Sequence, residues 1–403
     1  MTEPYDVVIA GGGMVGTALA CALGGSPLRV ALLESAPPRP LPAGTEPDLR
    51  VSAISRASQR ILAAVGAWDP IAASARLAPY RHMRVWDAAG PGRIQFDAAE
   101  LGEPELGWII ENRVLQYALW ETAAGHDNLS LFCPAELHLL GEREAGQYLH
   151  LQLHDGRGLR TRLLVGADGA QSRVRRLTGI ASAGWEYEQA GLVATVSTEK
   201  PHQDTAWQRF LPTGPLAFLP LFDGQCSIVW STPHSAQLLA LDERSFALTL
   251  SEAFDWTLGA ITRVGPRTAF PLRLQHAQQY VRPRVALVGD AAHVVHPLAG
   301  QGVNLGLLDA AALAEVLLEA SAAGRDPGEL ALLRRYERWR KGHNLLTLGV
   351  MDGFKRLFGS TLGPVKLLRN LGLNLTDAIA PVKHLLARHA MGLSGDLPRL
   401  ARP

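Results

Sequence analysis

The strongest constraint on this chain lies within its first 34 residues. Asp6-Val-Val-Ile-Ala10 is a short unbroken apolar run, the pattern of a strand buried on both faces. Gly11, Gly13 and Gly16 follow in GxGxxG spacing, and Thr17–Leu23 reads as a helix. Leu28–Leu33 is a second buried-type strand that ends at Glu34. A strand, a glycine turn, a helix and a second strand make a βαβ unit. Glycine at these three places allows a tight turn and a close approach of backbone N–H groups to a pyrophosphate at the helix N-terminus. A carboxylate at the end of the second strand is placed to accept from an adenosine ribose and disfavours a 2′-phosphate, which suits FAD or NAD better than NADP. The glycines by themselves also suit a tight turn that merely packs helix on sheet.

Two further segments have the same character. Leu163-Leu-Val-Gly-Ala-Asp-Gly169 delivers Asp168 and Gly169 to a loop after an apolar strand, and basic residues follow; alone it reads equally as an ordinary Asp-Gly turn. The strand Val285–Val288 ends in Gly289-Asp290. The loop after it carries Pro297, Gly300 and Gly302, and a long helix starts near Val303 and Asn304. Asp290 at a strand end suits the hydroxyls of a sugar-alcohol chain, and the two glycines let backbone approach a flat ring. The positive end of the helix would favour a reduced, anionic flavin edge. His293 and His296 lack partner ligands at metal-binding spacing, so no metal is expected.

These nucleotide-fold strands stand at the chain's start, near residue 165 and near residue 288. The stretch between Gly191 and Trp230 is strand-like and aromatic, and the tail from Leu330 is helical. The expected fold is therefore α/β in two domains: a Rossmann-like FAD-binding domain, an inserted mixed β-sheet substrate domain and C-terminal helices. The expected bounds are 1–78, 105–180 and 275–345 for the first, 79–104 and 181–274 for the second, and 346–403 for the helical region. A chain of 403 residues is long enough for two or three domains. A formal net charge of +1 gives no reason to expect nucleic acid. Three scattered cysteines and an N-terminus without a basic leader suit a reducing cytoplasm. Asn344–Leu386 mixes Leu, Met, Val and Phe with Lys and Arg, a composition that fits a membrane surface or partner helix. Plain packing against the FAD-binding domain is the blander reading of that stretch.

Taken together, Gly11–Gly16, Gly166-Ala-Asp-Gly169 and Gly289-Asp-Ala-Ala-His293 resemble the signature of the class A flavoprotein monooxygenases, which share the para-hydroxybenzoate hydroxylase fold. Arg50-Val-Ser-Ala-Ile54, Glu111-Asn-Arg-Val-Leu-Gln116 and the segment His296–Gly306 narrow the resemblance to the ubiquinone-biosynthesis hydroxylases. Phe96–Leu101 and Trp207–Phe222 resemble most the branch that hydroxylates the demethoxy-quinol intermediate (the octaprenyl methoxy-benzoquinol hydroxylases). One departure is His296, where that branch carries Asn and sister branches His, so the ring position stays open.

The resemblance implies a monooxygenase that uses bound FAD with NAD(P)H and O2, acting through a flavin C4a-hydroperoxide on the ring of a polyprenyl quinol or phenol. Alternatives are a sister-branch hydroxylase acting at another ring position, or a non-catalytic FAD-holding scaffold of a quinone-biosynthesis assembly. By position, Gly11, Gly13, Gly16 and Glu34 should hold the ADP half of FAD, with Arg50 and Arg113 near the pyrophosphate and flavin. Asp168 and Gly169 are implicated in FAD and nicotinamide contacts, and Asp290 in ribityl or phosphate binding. Pro297, Gly300, Gly302, Val303 and Asn304 should lie beside the flavin ring. Trp207, Phe210, Phe218, Pro220, Phe222 and His296 are candidates for the substrate pocket; for each aromatic, ordinary sheet core is an equal reading. Association with other quinone-biosynthesis proteins and peripheral contact with the inner face of the membrane complete the expectation.

Overall fold

A computed structural model describes residues 3–42, 44–144, 147–295, 301–359 and 362–403. His296, Pro297 and Gly300 lie outside the described residues.

The first sheet has a parallel centre. Its strands run in the order Val285–Leu287, Gly158–Gly166, Tyr5–Ala10, Val30–Leu33 and Leu129–Phe132. All four residues of Val30–Leu33 and the last four of Tyr5–Ala10 are buried, as strands covered by helices on both faces require. The helices Met14–Leu23 and Gln301–Ala322 pack on this sheet and on each other. A hairpin around Asp155-Gly156 extends the antiparallel part, with Gly156 in the left-handed region.

The second sheet is antiparallel except for one pair. Its core is two strands of 17 residues, Ser182–Thr198 and Ile261–Ala277, which pair along their length. Cys226–Thr232, Gly214–Pro220 and Thr205–Leu211 follow in order. Thr205–Leu211 then pairs in parallel with His82–Asp87, and Arg93–Asp97 forms the outer edge. At the opposite edge His293–Val294 pairs with Gln275 and His276, so the loop after Asp290 is stitched into this sheet. A small third sheet joins Val51–Ser55, Gly107–Glu111 and Leu77–Tyr80. Ser55 then caps the helix Arg56–Ala64 by accepting from the Ser58 N–H.

Two expectations need correction. Phe218, Pro220 and Phe222 do not line the space enclosed by the two sheets. Side chains alternate along a strand. Ala217 and Leu219 face that space, and Phe218 points the other way and stacks on Phe254 with 3.9 Å between ring centroids. Phe222 lies under the Arg76 guanidinium. The far C-terminal helices Gly363–Ala378 and Ala380–Ala390 do not pack plainly on the FAD-binding sheet; the first lies along the edge strand Arg93–Asp97 and exposes Leu367, Leu368, Leu371 and Leu375.

Candidate flavin and substrate site

The three glycine-bearing loops leave neighbouring parallel strands at their carboxyl ends. Ala10 is in register with Gly166, and Gly166 with Leu287. The Ala167 N–H donates to Ala10 O at 2.8 Å, and the Val288 N–H to Gly166 O at 3.0 Å. Ligands of open α/β sheets bind at this end of the strands.

Each loop is held by side chains from elsewhere. Glu34 accepts from the Gly12 N–H at 2.7 Å, and the Gly12 carbonyl accepts from Thr17 Oγ1 and Gln116 Nε2. Arg175, buried, donates to Ala291 O and Ala170 O, both at 2.8 Å, and so ties the second loop to the third. Asp168 accepts from Ser172 Oγ and from the N–H groups of Arg173 and Val174, which makes it the organiser of its own loop. Asn304 is buried and also clamps: it accepts from the Ser55 N–H at 3.0 Å and donates to Ala53 O at 2.8 Å.

Between these loops and the face of the antiparallel sheet lies a cavity of about 1390 Å³. That exceeds the roughly 300–1,000 Å³ of a pocket for one small ligand, so there is room for a dinucleotide and a second molecule. Gly13, Arg50, Gly169, Asp290, Gly302, Val303 and Asn304 line one end. The middle is apolar, with Val193, Leu219, Val229, Phe270 and Leu272; Trp207 and Phe210 also line it. The far end reaches Val350, Phe354, Leu368 and Leu386 of the C-terminal helices. Arg113 does not line the cavity and sits 3.8 Å from Asp48.

The glycines test whether the cavity suits FAD. A Cβ added to Gly11 would stand 2.5 Å from Ala167 O, and one on Gly16 only 1.9 Å from Gly11 O, so both are needed for packing. Among the described residues, a Cβ on Gly13 or Gly169 would meet nothing within 4 Å, and one on Gly302 would first meet Val295 at 3.8 Å. These three glycines therefore leave bare backbone facing open cavity, one in each of the three loop regions, as a cradle for a phosphate and a flat ring requires. Asp290 is exposed to the cavity, where reduced solvation raises its carboxyl above the ordinary range; His293, Arg50 and Arg273 oppose that rise. The helix Gln301–Ala322 presents its positive end here.

Behind the third loop is a polar cluster that sequence reasoning missed. Asp309 is fully buried; its carboxylate meets His293 Nε2 at 2.5 Å, Arg340 Nε at 2.8 Å and Asn344 Nδ2 at 3.0 Å, and accepts from the Gly289 N–H. Although burial opposes it, the His293 and Arg340 charges hold the Asp309 carboxyl well below the usual carboxylate range. Asp309, set in an otherwise apolar stretch of the helix Gln301–Ala322, was the available signal. Among the described residues no group of His, Cys, Asp and Glu could hold a metal ion.

Comparison with known proteins places this geometry. Residues 4–344 match the FAD binding domain family. The 3-demethoxyubiquinol 3-hydroxylase of Escherichia coli is 41% identical over 97% of this chain and 99% of its own length. The ubiquinone hydroxylase UbiL of Rhodospirillum rubrum is 41% identical over 98% of this chain and 92% of its own. Among solved structures, p-nitrophenol 4-monooxygenase from Pseudomonas putida superposes with a TM-score of 0.78 at 20% identity, covering 97% of this chain and 99% of that one, a likeness of fold.

Proposed function

The chain belongs to the FAD-dependent monooxygenases of ubiquinone biosynthesis, and from that premise we propose that it hydroxylates the aromatic ring of a polyprenyl quinol or phenol of that pathway, with NAD(P)H and O2 as co-substrates. The observation that carries this reading is the continuity of the cavity. One end has bare glycine backbone and Asp290, the middle is an apolar sheet face for an aromatic ring, and the far end continues between apolar helices with room for a long hydrocarbon tail. Likeness to the Escherichia coli enzyme favours a demethoxy-quinol as the ring acted upon.

The residue roles follow. Gly13 and the adjoining helix N-terminus would bind the pyrophosphate, with Arg50 beside it, and Glu34 the adenosine ribose. Asp290 would hold the ribityl chain. Gly302, Val303 and the helix end behind them would lie against the flavin ring, where the positive end of the helix favours negative charge on the reduced form. Bound FAD supplies hydride acceptance and O2 activation. The protein positions a ring that is already nucleophilic and keeps water away with Val193, Leu219, Val229, Phe270 and Leu272. Incubation of the FAD-loaded protein with NADH or NADPH, a short-tailed demethoxy-quinol and isotopically labelled O2 should give a product carrying one labelled oxygen. Nicotinamide consumption with unlabelled or unchanged quinol would refute the proposal.

A further inference from the structure

The helix Gly363–Ala378 is turned inside out. Its polar residues face the protein: Asn370 accepts from the Gly92 N–H at 2.5 Å, Asn374 from the Arg93 N–H at 3.0 Å and Asp377 from the Gln95 N–H at 3.1 Å. These side chains cap the free N–H groups of the edge strand, which would otherwise be open to pairing. Arg369, buried, meets Asp87 at 2.6 Å, and Asn370 donates to the same carboxylate at 3.0 Å. The contact is close: a Cβ on Gly92 would stand 2.5 Å from Asn370 Oδ1. With that face committed, Leu367, Leu371 and Leu375, spaced i, i+4, i+8, are left 71, 60 and 55% exposed. Val382 and Leu385 on the next helix, and Leu345 on the preceding one, are exposed as well.

We propose that these C-terminal helices form a docking face for an anionic phospholipid bilayer, seated so that the far end of the cavity opens into the lipid. Three observations select this occupant. First, Leu346, Val350, Phe354, Leu368 and Leu386 are exposed on this surface and also line the cavity, so the apolar face and the cavity mouth are continuous. Second, residues 341–390 carry seven Lys or Arg against two Asp, in a chain of net charge only +1. Arg369 and Lys383 are paired with Asp87 and Glu100 outside this stretch; both of its acids are engaged too, Asp352 with Arg356 and the Tyr187 hydroxyl, and Asp377 with the Gln95 N–H, so the remaining charge is basic. Arg388 is an exposed cation, and Arg356, though paired with Asp352, keeps most of its side chain in solvent; both suit lipid phosphates. Third, Trp185 is 45% exposed beside Arg356, an aromatic–cation pair of the kind that seats at a headgroup layer. No helix of the described residues is long and apolar enough to cross a membrane, so the contact is interfacial. Entry of a polyprenyl tail by this route rests on the proposed substrate; the docking itself does not.

The test is flotation of the FAD-loaded full chain with vesicles of phosphatidylethanolamine and phosphatidylglycerol, against vesicles of phosphatidylcholine alone. The wild type should float with the anionic vesicles and bind several-fold less to the neutral ones or at raised salt. The triple variant L367Q/L371Q/L375Q should bind about tenfold less or weaker still, with flavin content, melting temperature and turnover of a short-tailed quinol unchanged. A wild type that never floats, or a triple variant that floats equally well, overturns the proposal. So does a concentration-dependent dimer abolished by the triple variant without vesicle binding, which would assign the face to a second copy. Loss of quinol turnover with vesicle binding intact would count against the proposed function alone.

Discussion

Gly13 and Gly16 share one turn, yet a methyl group at each meets opposite surroundings. At Gly16 it would collide with Gly11 O; at Gly13 it would enter open cavity. Gly16→Ala should therefore fail to accumulate as folded protein. Gly13→Val should fold with an apo melting temperature near the wild type but bind FAD at least about tenfold more weakly, measured by quenching of flavin fluorescence. Equal FAD affinity in Gly13→Val would remove the cradle from the account. Glycine spacing was legible because few residue types tolerate such a turn. The orientation of side chains was less so: Asp168 and Asn304 have their polar groups turned onto neighbouring backbone, which no local pattern announces. Phe218 failed for a related reason, since sequence alone does not say which face of a strand covered on both sides meets the cavity.

At the scale of elements, unbroken apolar runs located the strands Tyr5–Ala10 and Val30–Leu33 and the long helix Gln301–Ala322 well. Periodicity reveals that a helix has an apolar face but not whether that face turns inward. For Gly363–Ala378 the inward side was decided by the unpaired edge strand, a long-range demand absent from the local sequence. Two histidines on different elements carry a pH dependence. Burial pushes His276, on the strand Ile261–Ala277, and His343, on the helix Leu330–Gly359, down from about 6.5 to about 4. The neighbouring charge of Lys341 adds to the effect at His276, and that of Arg340 at His343. Their depressed values mean that the unfolded chain takes up protons first on acidification. The stability they confer is thus complete above about pH 6.5 and is lost as pH falls from there through about 4. Denaturant unfolding at pH 7.5 and pH 5 should differ by on the order of 1–3 kcal/mol after allowance for solvent screening. The double variant H276Q/H343Q should reduce that difference; a difference as large as in the wild type would contradict the assignment.

At the scale of the whole molecule, one nucleotide-binding sheet is assembled from strands far apart in the chain, with an antiparallel sheet inserted between them. This was legible because each separated strand ends in its own glycine-bearing loop. The buried Asp309–His293–Arg340 cluster was not, because its members come from three segments whose proximity only the fold creates. The same assembly makes the central claim testable in a single cuvette. Purified protein should carry a flavin spectrum, and anaerobic NADH or NADPH should bleach it faster when a demethoxy-quinol analogue is present. Admission of O2 should then restore the spectrum with formation of hydroxylated quinol. A colourless protein that takes up no added FAD, or a flavin whose reoxidation yields only hydrogen peroxide beside unchanged quinol, would contradict the account.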